Sequence, residues 1–550
     1  MRACRRETLP RRFLRWYDVA EASGDHRVVD LPLPTPAPLR TAILSVPRQG
    51  RRWPGAARAA ATVAGPGLVG VALGFGAVSA IATLGAFAVV YGEQRPYRVR
   101  ARAVAVIGTV LVTLATIGAL AGSVVHHELA AGGPAWWYLV VVAAMTVTVA
   151  GCAFVVDALR MGAPGAFLML LSLEIASALP ALGVSVPTVS AWTAIGAGTA
   201  VVVSLSGAPF RPRTPERTAV AAAVAAVDAV LEENSPGNRR AAVHDLHAAW
   251  QCLHDAGLVG SGHPLEQALC AAHLRCAETL DERPRDEAVP EDDLRLRTPL
   301  RRPSVRYRLA RAAHLRSRSA TIAVRLLVAG PVAGTIAIAL GVGRPDWAVI
   351  TAAMILHQGP DRILGSYRAA HRFLGTVLGL VLVACLTPFH PGGIALVAVL
   401  AAVMAGTEMF LVRNYGLAMV FITPLVVVLG GLGAPGDLVT VARDRFLETV
   451  VGVLVALAVL WGVLPRAHRR VLDFADGRVR DAVTRIAASS DARELPELRR
   501  DLEFDLHAST TAAVIAAHTE PAWTRERWTE HRRLHELGYR ILTLPERPGP

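Results

Sequence analysis

The stretch Ala320-Thr-Ile-Ala-Val-Arg325-Leu-Leu-Val-Ala-Gly-Pro331-Val-Ala-Gly-Thr-Ile-Ala-Ile-Ala-Leu-Gly-Val342 carries a single ionisable side chain among apolar, small and hydroxyl residues. A hydrocarbon core about 30 Å thick takes roughly 20 such residues as a helix, because every backbone N–H and C=O must be paired inside the segment. Segments of the same kind lie on both sides of it. Upstream they cover 56–75, 76–92, 99–122, 135–156, 163–183 and 189–205. Downstream they cover 347–357, 373–386, 393–412, 415–432 and 446–464. Two of them, 56–75 and 76–92, share so little chain that one tilted helix or a re-entrant hairpin is the alternative. Polar sequence fills about 210–319 and everything from Arg466 onward.

The two apolar series look like copies. Val63-Ala-Gly-Pro66 matches Val328-Ala-Gly-Pro331, and Gly108-Thr-Val-Leu111 matches Gly375-Thr-Val-Leu378, with separations of 45 and 47 residues. An even number of spans per copy inserts both copies in the same orientation. The expected fold is therefore an all-α integral membrane protein of two parallel six-helix repeats with helical cytoplasmic domains. Its parts are a basic, largely disordered tail (1–55), a first repeat (56–207), a helical domain (208–319), a second repeat (320–465) and a C-terminal helical domain (466–550).

Composition points the same way. Of 550 residues 53% are hydrophobic, only 18% are charged, and the mean hydropathy is +0.40. Soluble domains average about 25% charged residues, so disorder and a soluble globular chain are excluded, and six cysteines are too few for a disulfide framework. All 57 basic residues are arginine and the net charge is +13. Arg95, Arg98, Arg100, Arg102, Arg160, Arg362, Arg368, Arg372 and Arg413 follow even-numbered spans, whereas only Arg344 and Arg443 follow odd ones, with Arg445 just inside the last span. The positive-inside rule then places both termini and the middle domain in the cytoplasm and explains the charge without nucleic acid. The arginines of 1–15 are not followed by an apolar stretch before about residue 56, so no cleavable signal is expected.

The second series holds Asp346-Trp347, Thr351, His357-Gln-Gly-Pro-Asp361, Arg368-Ala-Ala-His-Arg372, Gly375-Thr376-Val-Leu-Gly379, Arg413-Asn-Tyr415 and Arg445-Phe-Leu-Glu448-Thr449-Val-Val-Gly452. This order resembles the fusaric-acid-resistance-like (FUSC) family of integral membrane transporters, over residues 320–465. The resemblance implies a multi-pass transporter of the bacterial plasma membrane that exports organic anions, often aromatic carboxylates, and more than one chain per assembly. A major-facilitator-type transporter and a non-transporting scaffold with partner-binding helices are the alternatives.

The residues carry a physical reading of their own. Gly375 and Gly379, and Glu448 with Gly452, are four apart and present small faces for close helix approach. Arg368, Arg372 and Arg445 offer carboxylate contacts, and Trp347 and Tyr415 flat apolar ones. The simpler reading has Arg372 and Arg445 as snorkelling anchors at helix ends. Glu408, Glu448 and His371 are candidates for proton coupling, the rival mechanism being flow down the membrane potential. Asp157, Glu174, Arg325 and His357 are further ionisable groups within apolar sequence; Glu408 with Arg413 and Asp157 with Arg160 form expected local pairs, functional or merely packing. Cys252, His254, His263, Cys270, His273 and Cys276 have no paired-ligand spacing, so no metal is expected. The chain has no phosphate loop, G-x-G-x-x-G or G-x-S-x-G, hence neither enzyme activity nor a cofactor.

Overall fold

The computed structural model describes residues 33–45, 52–93, 95–162, 164–280, 299–432, 437–489, 491 and 493–543. The expected basic tail falls for the most part outside them, as does the proline-containing C-terminal end. The described chain is all-helical. The first apolar series is α1 (Trp53–Ala72), α2 (Gly76–Gly92), α3 (Tyr97–Ala130), α4 (Ala135–Ala158), α5 (Phe167–Leu182) and α6 (Val186–Leu205). Polar helices α7 (Thr214–Glu232), α8 (Pro236–Ala256), α9 (Pro264–Leu280) and α10 (Val305–Ala312) follow. The second series is α11 (Arg318–Ala339), α12 (Asp346–Leu356), α13 (Arg362–Leu386), α14 (Gly393–Phe410), α15 (Tyr415–Gly430) and α16 (Leu438–Gly462). The chain closes with α17 (Ala467–Ala488), α18 (Leu495–Thr519) and α19 (Pro521–Thr543).

Every expected span is helical, and among the described residues 7 helices are long and apolar enough to cross a membrane by length and composition. Residues 56–92 form two helices, not one: Gly74 (φ 85°) and Gly76 (φ 57°) turn the chain between α1 and α2. The turn needs glycine because a Cβ clashes at these angles. Helix α2 contains six-residue 3₁₀ segments at each end around a five-residue α-turn. At about 2.0 Å per 3₁₀ residue and 1.5 Å per α residue it reaches about 31 Å, so it is as long as a hydrocarbon core despite its few residues.

The four short apolar helices are α2, α5, α12 and α15, the second and fifth of each series. They are also the ones buried from all sides. All of α12 is buried, as are Phe167–Ala176 of α5 and 422–429 of α15. A helix apolar around its whole circumference belongs in an interior, and the longer helices enclose these. In each series the third helix lies against the fifth and sixth, and the sixth also against the first and second. Across the series, α1 packs on α14 and α11 on α4. Glycines let these contacts close: a Cβ on Gly67 of α1 would sit 2.8 Å from Val397 of α14, and one on Gly334 of α11 2.6 Å from Val142 of α4.

Caps set the register of the second series. The Ser317 hydroxyl accepts from Ala320 N at 3.0 Å, the Asp361 carboxylate from Ile363 N and Leu364 N at 3.0 Å each, and the Asn414 amide oxygen from Leu417 N at 3.1 Å. These satisfy backbone donors that a helix start leaves open. The Asn414 Nδ2 donates to the carbonyls of Ile43 and Ser45, tying down the short helix Leu39–Leu44.

The described residues divide into two compact units. One comprises the described parts of Ala37–Pro284 with Val305–Ala467; in it α7, α8 and α9 pack around Trp250, Leu253, Val227 and Leu269. The other comprises the described parts of Met1–Pro36, Arg285–Ser304 and His468–Pro550. Its core joins Val471, Leu472 and Ala475 of α17 to Ala512, Ala513 and Ala516 of α18, with Trp523 and Trp528 of α19 against them.

Candidate functional site

Several ionisable groups of the apolar helices gather on α5, α12, α13, α15 and α16. At the start of α12, Arg344 donates to Glu174 Oε1 of α5 at 2.8 Å and pairs with Asp346, while its backbone N–H donates to Glu448 Oε1 of α16 at 3.1 Å. Arg445, one turn before Glu448, lies 3.1 Å above the Trp347 ring and 3.5 Å from Glu448 Oε2. Glu174 is 0% exposed, Glu448 1% and Asp346 3%. This knot sets two guanidinium groups against three carboxyl groups around one indole. Buried charges persist only with such partners, so the knot holds α5, α12 and α16 in one arrangement.

Arg372 stands apart from that balance. It is the eleventh residue of α13, 3% exposed, and among the described residues its one hydrogen bond is from Nη1 to the Met419 sulfur at 2.9 Å. Its Nε has no hydrogen-bond partner among them. The acidic group that reaches it electrostatically is Glu174, already held by Arg344, and its other such neighbour is Tyr415. One turn earlier Arg368 donates to the Ile355 carbonyl at 3.1 Å. Tyr415 lies between rings, with Phe167 at 6.2 Å and His371 at 6.4 Å, and its buried hydroxyl has no hydrogen-bond partner among the described residues. By contrast Arg325 is fully engaged, donating to Val463, Leu460 and Pro360 carbonyls at 3.1–3.2 Å, and so ties α11 to the end of α16.

The structure thus corrects two expectations about the arginines. Helix α13 begins at Arg362 and α16 at Leu438, well before the apolar windows at 373 and 446. Arg372 is therefore about 15 Å along its helix and Arg445 about 10 Å. Arg372 is buried and the Arg445 side chain, 11% exposed, lies against Trp347 and Glu448, so neither is an anchor at a helix end.

The local pairs also differ from expectation. Glu408 does not pair with Arg413, which follows the end of α14 at Phe410 and turns to the Met409 sulfur. Its carboxyl instead faces α1 and α2. A Cβ on Gly55 would lie 3.4 Å from Glu408 Oε1 and 3.1 Å from Glu93 Oε1, and Glu93 is ion-paired to Arg58. Asp157 pairs not with Arg160 but with Arg318 at 3.3 Å, and accepts from the Ser319 hydroxyl at 2.7 Å. A span's last turn projects its side chains onto neighbouring helices, which adjacency in sequence does not reveal.

The small-residue positions lie at close helix contacts. A Cβ on Gly375 would sit 2.6 Å from the Gly416 carbonyl, one on Gly379 2.5 Å from Thr423 Cβ, and one on Gly452 2.6 Å from the Ala348 carbonyl. These glycines bring α13 onto α15 and α16 onto α12, and so deliver Arg372 and Arg445 to the interior. Sequence reasoning passed over Arg344, read only as a topological charge, and did not connect Glu174 to it. The signal was a base and an acid two residues apart ahead of an aromatic, Arg344-Pro-Asp346-Trp347. Within the apolar helices no three described His, Cys, Asp or Glu side chains converge at metal-binding distance. In α9, His273 accepts from Trp250 Nε1 at 3.0 Å and Cys276 is buried in the apolar core.

These helices define a multi-pass membrane protein. Residues 332–459, which run from α11 to α16 and contain every predicted site residue, match the family model described as fusaric acid resistance protein-like. The uncharacterized membrane protein YvaC of Bacillus subtilis (strain 168) is 33% identical over 171 residues, 30% of this chain and 26% of that protein. The chain thus spans about a quarter of the length of that curated relative. No solved structure matches.

Proposed function

We propose that this protein moves organic anions, aromatic carboxylates foremost, out of the cell along a path between α5, α12, α13, α15 and α16. The observation that carries this reading is Arg372: a buried guanidinium whose one hydrogen bond ends on a sulfur. An ion so poorly paired in an apolar interior is costly, and an anion arriving there lowers that cost. Tyr415 and Phe167 beside it offer ring faces and a hydroxyl to an aromatic acid. An inside-negative potential favours anion exit by about 2.3 kcal/mol per charge per 100 mV, so no chemical reaction by the protein is required.

In this reading the two six-helix series are repeats, and four observations support that: the matched motifs, the short second and fifth helices, the shared packing pattern and the reciprocal α1–α14 and α11–α4 contacts. Short helices in corresponding positions of two halves mark a binding region. On the third and sixth helices, the positions compared bear charges only in the second half. Aligning Gly108 with Gly375 puts Ala101 and Ala105 where Arg368 and Arg372 stand. Gly196 packs on the Ala82 carbonyl as Gly452 does on that of Ala348, which puts Val189 and Trp192 at the places of Arg445 and Glu448. The second copy then carries most of the site, and the first adds Glu174 and Phe167 of α5. The arginine distribution supports cytoplasmic termini.

Proton coupling is the second reading, favoured by Glu408, whose buried Oε2 has no hydrogen-bond partner and whose other oxygen lies near Glu93. The test of the main reading is benzoate efflux from proteoliposomes under an imposed inside-negative potential. Efflux should fall at least 10-fold in R372Q and partly recover in R372K. Wild-type efflux in R372Q refutes the assignment.

A further inference from the structure

In the C-terminal unit, His531 and His535 are four residues apart on α19 and so share one helix face. Their rings stand 4.3 Å apart. Asp476 of α17 faces them: His531 Nδ1 is 3.1 Å from one carboxylate oxygen and 3.3 Å from the other. Ser509 of α18 completes the group, its hydroxyl donating to Asp476 while His535 Nε2 lies 2.9 Å from it. One nitrogen or oxygen atom from each of Asp476, His531 and His535 falls within 4.8 Å of the others. Asp476 and His531 are buried, Ser509 is 0% exposed, and the carboxylate's ion-pair partner is a histidine rather than an arginine.

A buried carboxylate facing two imidazoles lacks a fixed positive charge, and such a charge is what buried anions require. We infer that Asp476, His531 and His535 form a binding site for a divalent transition metal of the zinc class. Two imidazoles and a carboxylate are the ligand set of three-residue zinc sites, which bind at about 2.0–2.2 Å and leave a fourth position for water. Atoms within 4.8 Å reach that geometry by small side-chain rotations. Ser509 orients the carboxylate, as outer hydrogen bonds do at metal sites. The metal clamps α17 to α19 and is independent of transport.

The test uses the full-length chain in detergent, stripped with a chelator and titrated with Co²⁺, then Zn²⁺. The expected result is tetrahedral Co²⁺ visible bands that saturate at one equivalent, are displaced by Zn²⁺, and are lost in the H531A/H535A double variant. D476N keeps the side chain's shape and should weaken binding by about 100-fold, with unchanged helical circular dichroism. Wild-type protein without those bands, or D476N binding as tightly as wild type, overturns the assignment. Should the double variant fail to fold, D476N and H535Q decide the matter alone.

Discussion

Replacing Arg372 with methionine separates the proposed role of this residue from a structural one. Met fills similar length without charge, and the wild-type guanidinium loses only a bond to sulfur, a weak acceptor. Removing a poorly paired buried ion relieves a desolvation penalty of several kcal/mol, and exchange of buried ions for apolar groups commonly stabilises by about 1–4 kcal/mol. R372M should thus unfold at the same temperature as wild type or higher while losing efflux. The control is R325M, which strips three charge-assisted bonds from the Val463, Leu460 and Pro360 carbonyls. At about 1–3 kcal/mol for each of the three carbonyls left unpaired, R325M should cost about 3–9 kcal/mol. Tryptophan fluorescence melts in detergent, with and without benzoate, read both variants. Benzoate should raise the wild-type midpoint by mass action and leave that of R372M unmoved. If R372M melts as low as R325M, or benzoate still protects it, Arg372 is a packing residue and the anion path lies elsewhere.

Gly379→Leu forces α13 away from Thr423 and should destabilise by about 1–3 kcal/mol through overpacking, with efflux falling further than in R372K; unchanged melting would show that the two helices do not touch there. Glu408→Gln should abolish uptake driven by a pH gradient at zero potential and spare potential-driven efflux; equal loss of both would make Glu408 a structural group. In the C-terminal unit, hydrogen bonds from Arg469 and His468 hold Glu520 down to about 2. Its folded value lies below the unfolded one near 4.5, so the stability it adds is present above about pH 4.5 and is lost as pH falls towards 2. With the side chain 33% exposed, screening reduces this to about 1–2 kcal/mol, so E520Q should melt earlier than wild type at pH 7, with the gap narrowing below about pH 4.5 and closing near pH 2.

Much of this protein is legible in one dimension because the bilayer imposes a one-dimensional rule. Each span must satisfy its own backbone and show lipid an apolar surface, so composition alone marks 320–342 as a helix and marks its eleven counterparts. Spacing alone also exposes Gly375, Gly379 and Gly452 as contact positions, since residues four apart share a helix face whatever the partner. What hydropathy misjudged was where spans begin. Arg368, His371 and Arg372 depress the apolar average of α13, although the Asp361 cap starts that helix one residue later, at Arg362.

Partnership among charges was decided by the tertiary structure alone. Arg344 reaches Glu174 across 170 residues, Glu408 turns to α1 rather than to Arg413, and Asp157 meets Arg318. Asp476, from the helix two before theirs, meets His531 and His535. A side chain's depth, partner and net charge balance depend on which helices lie beside it, and packing of largely interchangeable Ala, Val, Leu and Gly surfaces leaves no local trace of that choice. Sequence therefore determined which residues could be buried together, and the fold determined that Arg372 was buried with its hydrogen bond ending on a sulfur.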